Sequence, residues 1–306
     1  MLYATICLKA DDKGSKGDVS LGEQILNVAH LNKVFGKTEV LHDISLTIIK
    51  GEVYGLIGKN GAGKTTLLRL ITGLMKPTGG SICIHTEKDY VGYMPQSCRF
   101  DDGASVADTI RFFASIRKAD YKESLLLCNK LELDTEKKVK HLSPGQQKKL
   151  QLVIAMTGEP DLYILDEPTA GLDPNATYEM MNIIKSIHKD GKSILISSHI
   201  LQDMDEICTN IAILEKGNLI FSSELEGSYV IKTEPIPMRK YEILAKKYSL
   251  VGNENRTVLH VKTGGKGVSD LVNELAVDSI RIFEVSSSNV KTIVQEQLQI
   301  RGEEQC

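Results

Sequence analysis

The chain has 306 residues, with 37 lysines and arginines against 40 aspartates and glutamates, for a net charge of −3 at pH 7. That length suits one large domain, or one with a small companion, and the charge balance leaves no general basic surface for a nucleic-acid partner. No apolar run approaches the roughly 18 residues that span a bilayer. The Met1–Leu8 start is too short for a signal peptide and lacks its positive lead. The six cysteines contain no Cys-x-x-Cys pair. The expectation is a cytoplasmic chain with reduced, mostly buried thiols and no membrane pathway of its own.

Residues 9–24 are polar, with the run Asp11-Asp-Lys-Gly-Ser-Lys-Gly-Asp18, and end a flexible extension expected over 1–24. Residues 25–57 hold strand-like runs, the last being Glu52-Val-Tyr-Gly-Leu-Ile57. It leads into Gly58, Lys59, Asn60, Gly61, Ala62, Gly63, Lys64, Thr65 and Thr66. Leu67, Leu68, Leu70, Ile71 and Leu74 then recur at helical spacing, with Gly73 near the helix end. Gly-x-x-x-x-Gly-Lys-Thr between a strand and a helix is a phosphate-binding loop. Gly58, Gly61 and Gly63 let the backbone turn sharply and bring N–H groups against phosphate oxygens. The helix N-terminus adds partial positive charge. Lys64 places a compact cation on the β- and γ-phosphates, and the Thr65 hydroxyl is a candidate Mg²⁺ ligand.

Residues 105–140 read as mostly helical, with Ile110, Phe113 and Ile116 followed by Leu125 to Leu133, and form a small subdomain over about 100–142. Leu142-Ser143-Pro144-Gly145-Gln146-Gln147 comes next. Ser143 and Gln146 have capping-box spacing, and Pro144 falls at the first helical position, where its missing N–H costs nothing. Leu150, Leu152, Val153 and Met156 supply the helix with an apolar face. This is either an ordinary N-cap or a second helix N-terminus equipped to meet an anion, through the Ser143 hydroxyl, the Gly145 N–H and the helix dipole. One nucleotide already has its own loop, so a second phosphate grip points to another molecule's nucleotide and to a head-to-tail dimer.

Leu162-Tyr-Ile-Leu165 is apolar throughout, as a strand buried on both faces should be, and ends in Asp166-Glu167-Pro168. Carboxylates at a strand's C-terminal end face the crevice where α/β sheets bind ligands. Asp166 is a candidate Mg²⁺ holder, through water, and Glu167 a candidate general base for water attacking the γ-phosphate. Residues 175–190 read as helix, 193–197 as strand and 200–209 as helix; Ile211–Leu214 and Leu219–Phe221 flank Gly217-Asn218, a hairpin signal. Taken singly, Phe35 reads as core, Gln96 as an exposed loop amide, Asp173 as the N-cap of a helix from Pro174, and His199 as a satisfied polar residue at a strand end.

In order, these motifs resemble the ATP-binding cassette, the nucleotide-binding subunit of ABC transporters, over about 25–222. Gly58–Thr65 resembles its Walker A motif, Leu142–Gln146 its signature Leu-Ser-Gly-Gly-Gln, and Leu162–Glu167 its Walker B motif with a catalytic Glu. Ala170-Gly171-Leu172-Asp173 resembles the D-loop, His199 the switch histidine, Gln96 in Tyr93-Met94-Pro95-Gln96 the Q-loop, and Phe35 the aromatic residue that stacks on adenine. The resemblance implies that His199 contacts the γ-phosphate and positions water, and that Gln96 reaches Mg²⁺ or that water. It implies that Ser143, Gly145, Gln146 and Asp173 line a nucleotide shared between chains. Two positions depart from the pattern: Lys59 stands where Pro is common, and Pro144 replaces the first signature Gly, leaving a stiffer loop that bears on turnover more than on binding.

Beyond residue 223 the pattern changes. Thr257–Val261 and Ser279–Val285 read as strands, Val268–Leu275 and Val290–Leu298 as helices. This α+β extension over 223–306 carries no chemical motif and resembles that of some drug and bacteriocin resistance exporters of the ABC-2 type. The expected fold is α/β, a P-loop core of ABC type with an antiparallel edge and a helical subdomain. The expected function is an ATPase subunit, with ATP and Mg²⁺, that homodimerises and powers separate transmembrane permease subunits of an exporter from the inner membrane face. Two alternatives are a soluble ABC-type ATPase acting on ribosomes or DNA, and a regulatory nucleotide-binding module. The first usually carries two cassettes, coiled-coil insertions or zinc cysteines, and the second fits poorly with Glu167 and His199.

Overall fold

The computed structural model describes residues 23–86, 91–224, 228–248, 250–253, 255–262, 265–287, 290 and 293–294. The expected extension over 1–24 and the expected helix over 290–298 lie almost wholly outside these residues.

Alternating burial makes β1 (Gln24–Phe35) and β2 (Thr38–Ile49) a long antiparallel ribbon, turned at Gly36 with φ +59°. β3 (Val53–Ile57) is buried at all five positions and leads to α1 (Lys64–Ile71). β4 (Gly79–Ile84) returns to pair antiparallel with β1, giving a three-stranded sheet in the order β2-β1-β4. Its apolar face and α1 share one core, including Leu31, Leu41, Ile44, Leu67 and Leu70, each wholly removed from solvent. β5 (Gly92–Met94) follows.

The helical layer comprises α2 (Val106–Arg117), α3 (Lys122–Lys130) and α4 (Pro144–Met156). Val106, Ile110, Cys128, Leu150 and Val153 are fully buried in a core of their own. The C-terminal carbonyls of α4, short of intrahelical N–H partners, are met from α2: Arg117 Nη1 donates to the carbonyls of Ile154, Ala155 and Thr157 at 2.7, 3.2 and 2.8 Å.

β6 (Leu162–Asp166), buried throughout, α5 (Pro174–Lys189), β7 (Ser193–Ser198), α6 (Leu201–Asp205), β8 (Asn210–Glu215) and β9 (Asn218–Glu224) complete the main sheet. Its order is β5-β6-β7-β3-β8-β9, and β5, β6, β7 and β3 run parallel. α6 is shorter than expected over 200–209, because the chain turns through Ile207 and Cys208, both donating to the Met204 carbonyl, before β8 begins.

The chain divides into two compact units, one running to Cys208 and including Ala212–Ser222, the other comprising Thr209–Ile211 and the chain from Ser223. In the second, β10 (Ser228–Thr233), α7 (Met238–Tyr248), β11 (Leu250–Gly252), β12 (Val258–Lys262), α8 (Gly265–Val277) and β13 (Ile282–Ser287) form an antiparallel sheet, β11-β12-β10-β13, with two helices. Ile231, Leu244, Leu259, Leu271 and Leu275 are its buried centre. The strand expected from Ser279 starts only at Ile282. Ser279 lies at φ +60° and the Ile280 N–H returns to the Leu275 carbonyl, so this stretch closes α8 instead. Among the described cysteines Cys128 is buried, which pushes its thiol up to about 11, whereas Cys83, Cys98 and Cys208 are only partly covered.

Glu274 of α8 holds α7 through Lys240, Lys247 and Tyr248 at 3.0, 2.7 and 2.9 Å. The Lys247 and Lys240 ammonium groups hold its carboxyl down at about 2, against an ordinary 4.5. A depressed carboxyl stabilises the fold above its unfolded value and loses that contribution as pH falls through the folded one. Glu274→Gln is therefore expected to lower stability at pH 7 by on the order of 1 kcal/mol, a figure kept small by solvent screening. The deficit should vanish between about pH 4.5 and about pH 2, and calorimetry of both proteins across that window checks it.

Candidate functional site

The glycines of the phosphate loop serve two different needs. Gly61 and Gly63 sit at φ +81° and +109°, where a side chain is strained. Gly58 has an ordinary φ, but a Cβ there would lie 2.4 Å from the Leu214 carbonyl oxygen, so close packing demands it. Gly63 is also the N-cap of α1 and brings no side-chain cap, which leaves the first-turn N–H groups to an anion. Lys64 is buried; its Nζ donates to the Gly58 carbonyl at 2.7 Å and lies 3.3 Å from Glu167 Oε1. Thr65, the next residue, is half-buried.

Strand register assembles the rest. Ile57 pairs with Ser198, Ser197 with Asp166, and Leu165 with Met94. Four parallel strands thus end side by side, and Gly58, Gln96, Glu167 and His199 each stand one or two residues beyond a strand end. Asp166 is fully buried. Its Oδ1 accepts from the Ser197 hydroxyl at 2.7 Å, while its buried Oδ2 has no protein partner. Glu167, also buried, sits at φ +49°, and its N–H is shared between the Ser197 carbonyl and hydroxyl oxygens at 3.1 Å each. The two carboxylates meet different side chains, Asp166 meeting Ser197. Glu167 Oε2 lies 3.4 Å from Gln96 Nε2 and 3.3 Å from His199 Nδ1. Lys64, Gln96 and His199 therefore converge on one carboxylate.

The remaining candidates make their bonds elsewhere. Ser143 and Gln146 form the expected capping box: the Gln146 N–H donates to Ser143 Oγ at 3.2 Å, and the Ser143 N–H to Gln146 Oε1 at 3.1 Å. Pro144 occupies the first helical position of α4, and Ser143 and Pro144 are exposed. Lys137 Nζ also reaches Gln146 Oε1, at 3.0 Å. Asp173 caps α5 by accepting from the Asn175 and Ala176 N–H groups, both at 3.0 Å. Phe35 is 44% exposed, not core, with Lys33 Nζ 4.8 Å from its ring centre.

The ABC transporter family profile matches residues 41–170, the stretch that carries the phosphate loop, the capped α4 and Asp166-Glu167. The chain is 34% identical over 212 residues to the lantibiotic transport ATP-binding protein SrtF of Streptococcus pyogenes, covering 67% of this chain and 93% of that one. The chain belongs to the ATP-binding subunits of ABC transporters. It is also 34% identical over 211 residues to the Nod factor export ATP-binding protein I of Cupriavidus pinatubonensis, covering 64% of this chain and 65% of that one. A solved ATP-binding subunit of an ABC transporter superposes with a TM-score of 0.60 at 30% identity, over 66% of this chain and 90% of that one. The subunit is accordingly an ATPase, and among its described residues no helix is long and apolar enough to cross a membrane.

Two groups at the subunit's site escaped the sequence reading. Ser197 was visible only as part of Ser197-Ser198-His199; parallel pairing, which sets it opposite Asp166, is what gives it a task. Lys148 belongs to no motif in the sequence, yet it donates to the Gln96 carbonyl at 2.9 Å and the Glu167 carbonyl at 3.1 Å. Burial pulls its ammonium below the usual lysine range, and the charges of Asp166 and Glu167 push it back up. The unmatched Asp166 Oδ2, the Thr65 hydroxyl and the Gln96 amide oxygen are all oxygen donors, the type that a hard cation such as Mg²⁺ takes. If Ser197 orients Asp166 toward such an ion, Ser197→Ala lowers ATP hydrolysis by about 10–100-fold. It also raises the half-saturating Mg²⁺ concentration while nucleotide binding without Mg²⁺ stays unchanged. Steady-state ATPase assays across a Mg²⁺ titration check this.

Proposed function

We propose that two copies of the subunit close head to tail over two ATP molecules and drive a separate membrane permease. The observation that carries this is the buried Glu167 carboxylate gathered by Lys64, Gln96 and His199 beside the unmatched Asp166 oxygen. Lys64 and the α1 N–H groups hold the β- and γ-phosphates, and Phe35 offers its exposed ring to the adenine. Glu167 takes the proton of the attacking water, while Gln96 and His199 hold that water in line. Bound Mg²⁺, held by Asp166, Thr65 and Gln96, would neutralise charge on the phosphate oxygens. Positioning and electrostatics carry most phosphoryl transfer.

The exposed, capped N-terminus of α4 supports the dimer. Ser143, Gly145 and Gln146 form an anion-ready surface, and they meet the ATP held by the other copy, with Asp173 at the same seam. Closure moves the helical layer, with its α2 and α3, against the permease. Residues 25–222 are the ATPase domain in this reading, with the helical subdomain over about 100–142. The unit from 223 has a structural or docking role. The subunit then works on the cytoplasmic side of the membrane, bound through its permease. Similarity to lantibiotic transport and Nod factor export proteins favours export.

Glu167→Gln keeps the shape of the site but removes the base. It is expected to bind ATP as the wild type does and to hydrolyse it about 10²–10⁴-fold more slowly, remaining as an ATP-bound dimer. Size-exclusion chromatography with ATP and Mg²⁺ reads this, and a variant that hydrolyses normally and stays monomeric overturns the proposal.

A further inference from the structure

We propose that Lys148 is a positioning residue for ATP hydrolysis: it fixes the backbone of Glu167 and of the Gln96 loop from the first turns of α4. The inference rests on Glu167 being the base.

Three features lead to it. The side-chain bonds of Glu167 are long: 3.3 Å to Lys64, 3.3 Å to His199 and 3.4 Å to Gln96. They are near the outer limit of a hydrogen bond and hold the carboxylate loosely. The backbone bonds are shorter. The Glu167 N–H is held by Ser197 at 3.1 Å, and the Glu167 carbonyl by Lys148 Nζ at 3.1 Å and the Ala170 N–H at 3.2 Å. The direction of the carboxylate is therefore set by a left-handed backbone clamped at both ends, and Lys148 supplies the charged half of one clamp.

The same ammonium donates to the Gln96 carbonyl at 2.9 Å. One side chain thus ties together the helix that begins at Ser143, the loop after β5 and the end of β6. Its neighbour Lys149 points elsewhere, donating to the Leu131 carbonyl at 3.1 Å and pairing with Glu179 at 2.6 Å. Adjacent lysines on one helix hence have separate tasks: Lys149 holds the helical layer, Lys148 reaches the reacting centre through Glu167 and Gln96. In this arrangement a shift of α4, whose exposed N-terminus meets the second copy's nucleotide, is passed to the base of its own site.

The test uses the purified full chain with Lys148→Met, Lys148→Arg, Lys149→Met and Glu167→Gln. A misplacement of about 1 Å costs on the order of 10²-fold in rate, so Lys148→Met is expected to lower kcat at least tenfold. KM for ATP and the affinity for a fluorescent ATP analogue should stay within twofold. Lys148→Arg, which keeps a cationic donor, should recover a third or more of kcat, and Lys149→Met should lower the melting temperature with kcat within twofold. The proposal is overturned if Lys148→Met keeps kcat within twofold, if it loses nucleotide affinity in step with kcat, or if Lys148→Arg restores the melting temperature but not kcat. Normal hydrolysis by Glu167→Gln removes the base itself, and the role of Lys148 with it; a dead Glu167→Gln beside a fully active Lys148→Met removes only the role of Lys148.

Discussion

Two adjacent carboxylates at the end of a fully buried strand set the terms for the rest of this molecule. Taking an unpaired carboxylate out of water costs several kcal/mol, and Asp166 and Glu167 are both buried. They are tolerable only where polar partners arrive from other parts of the chain. Ser197 comes from β7, Gln96 from beyond β5, Lys64 from beyond β3, and His199 from beyond β7. Sequence distance is large in each case, so the order and register of the parallel sheet perform the assembly. One oxygen is left over: no protein group reaches the buried Asp166 Oδ2.

The subunit separates what it keeps from what it offers. Glu167 is enclosed, whereas Ser143 and Pro144 at the start of α4 are exposed. The helix between these settings is secured at both ends, by its capping box at Ser143 and by Arg117 of α2 at its C-terminal carbonyls. Hydrogen bonds at both ends oppose fraying of this helix. Under the proposed dimer, that is the property required of a part that would meet the other copy at one end and touch the Glu167 and Gln96 backbone from its side.

The short-range features were legible. Ser143, Pro144 and Gln146 act through bonds spanning three residues, and Gly61 and Gly63 through their own backbone angles, so spacing alone gave them. Glu52–Ile57 and Leu162–Leu165 were readable as buried strands because every position is apolar. What was illegible depends on contacts far apart in sequence. Lys148 bonds to carbonyls 52 and 19 residues away, and backbone carbonyls leave no mark in a sequence. Gly58 was legible as a loop glycine, but its requirement, the closeness of the Leu214 carbonyl, was not, for the same reason. Phe35 followed the wrong rule in isolation, since its ring is apolar yet half exposed. α7, Met238–Tyr248, was missed because Arg239, Lys240, Glu242, Lys246 and Lys247 crowd its sequence, while Tyr241, Leu244, Ala245 and Tyr248 alone face the core.

The left-handed backbone of Glu167 has a consequence for how this sequence can drift. A side chain in that conformation costs roughly 1–2 kcal/mol relative to the right-handed one, and Gly would relieve it. The residue that the chemistry wants and the residue that the backbone wants are therefore different. Any selection acting on stability alone, in a laboratory library or in a copy of the gene freed from its transport duty, pulls this position toward glycine. It would also pull toward apolar replacement of the buried Asp166 beside it. Loss of turnover is, at this strand end, the downhill direction for the fold.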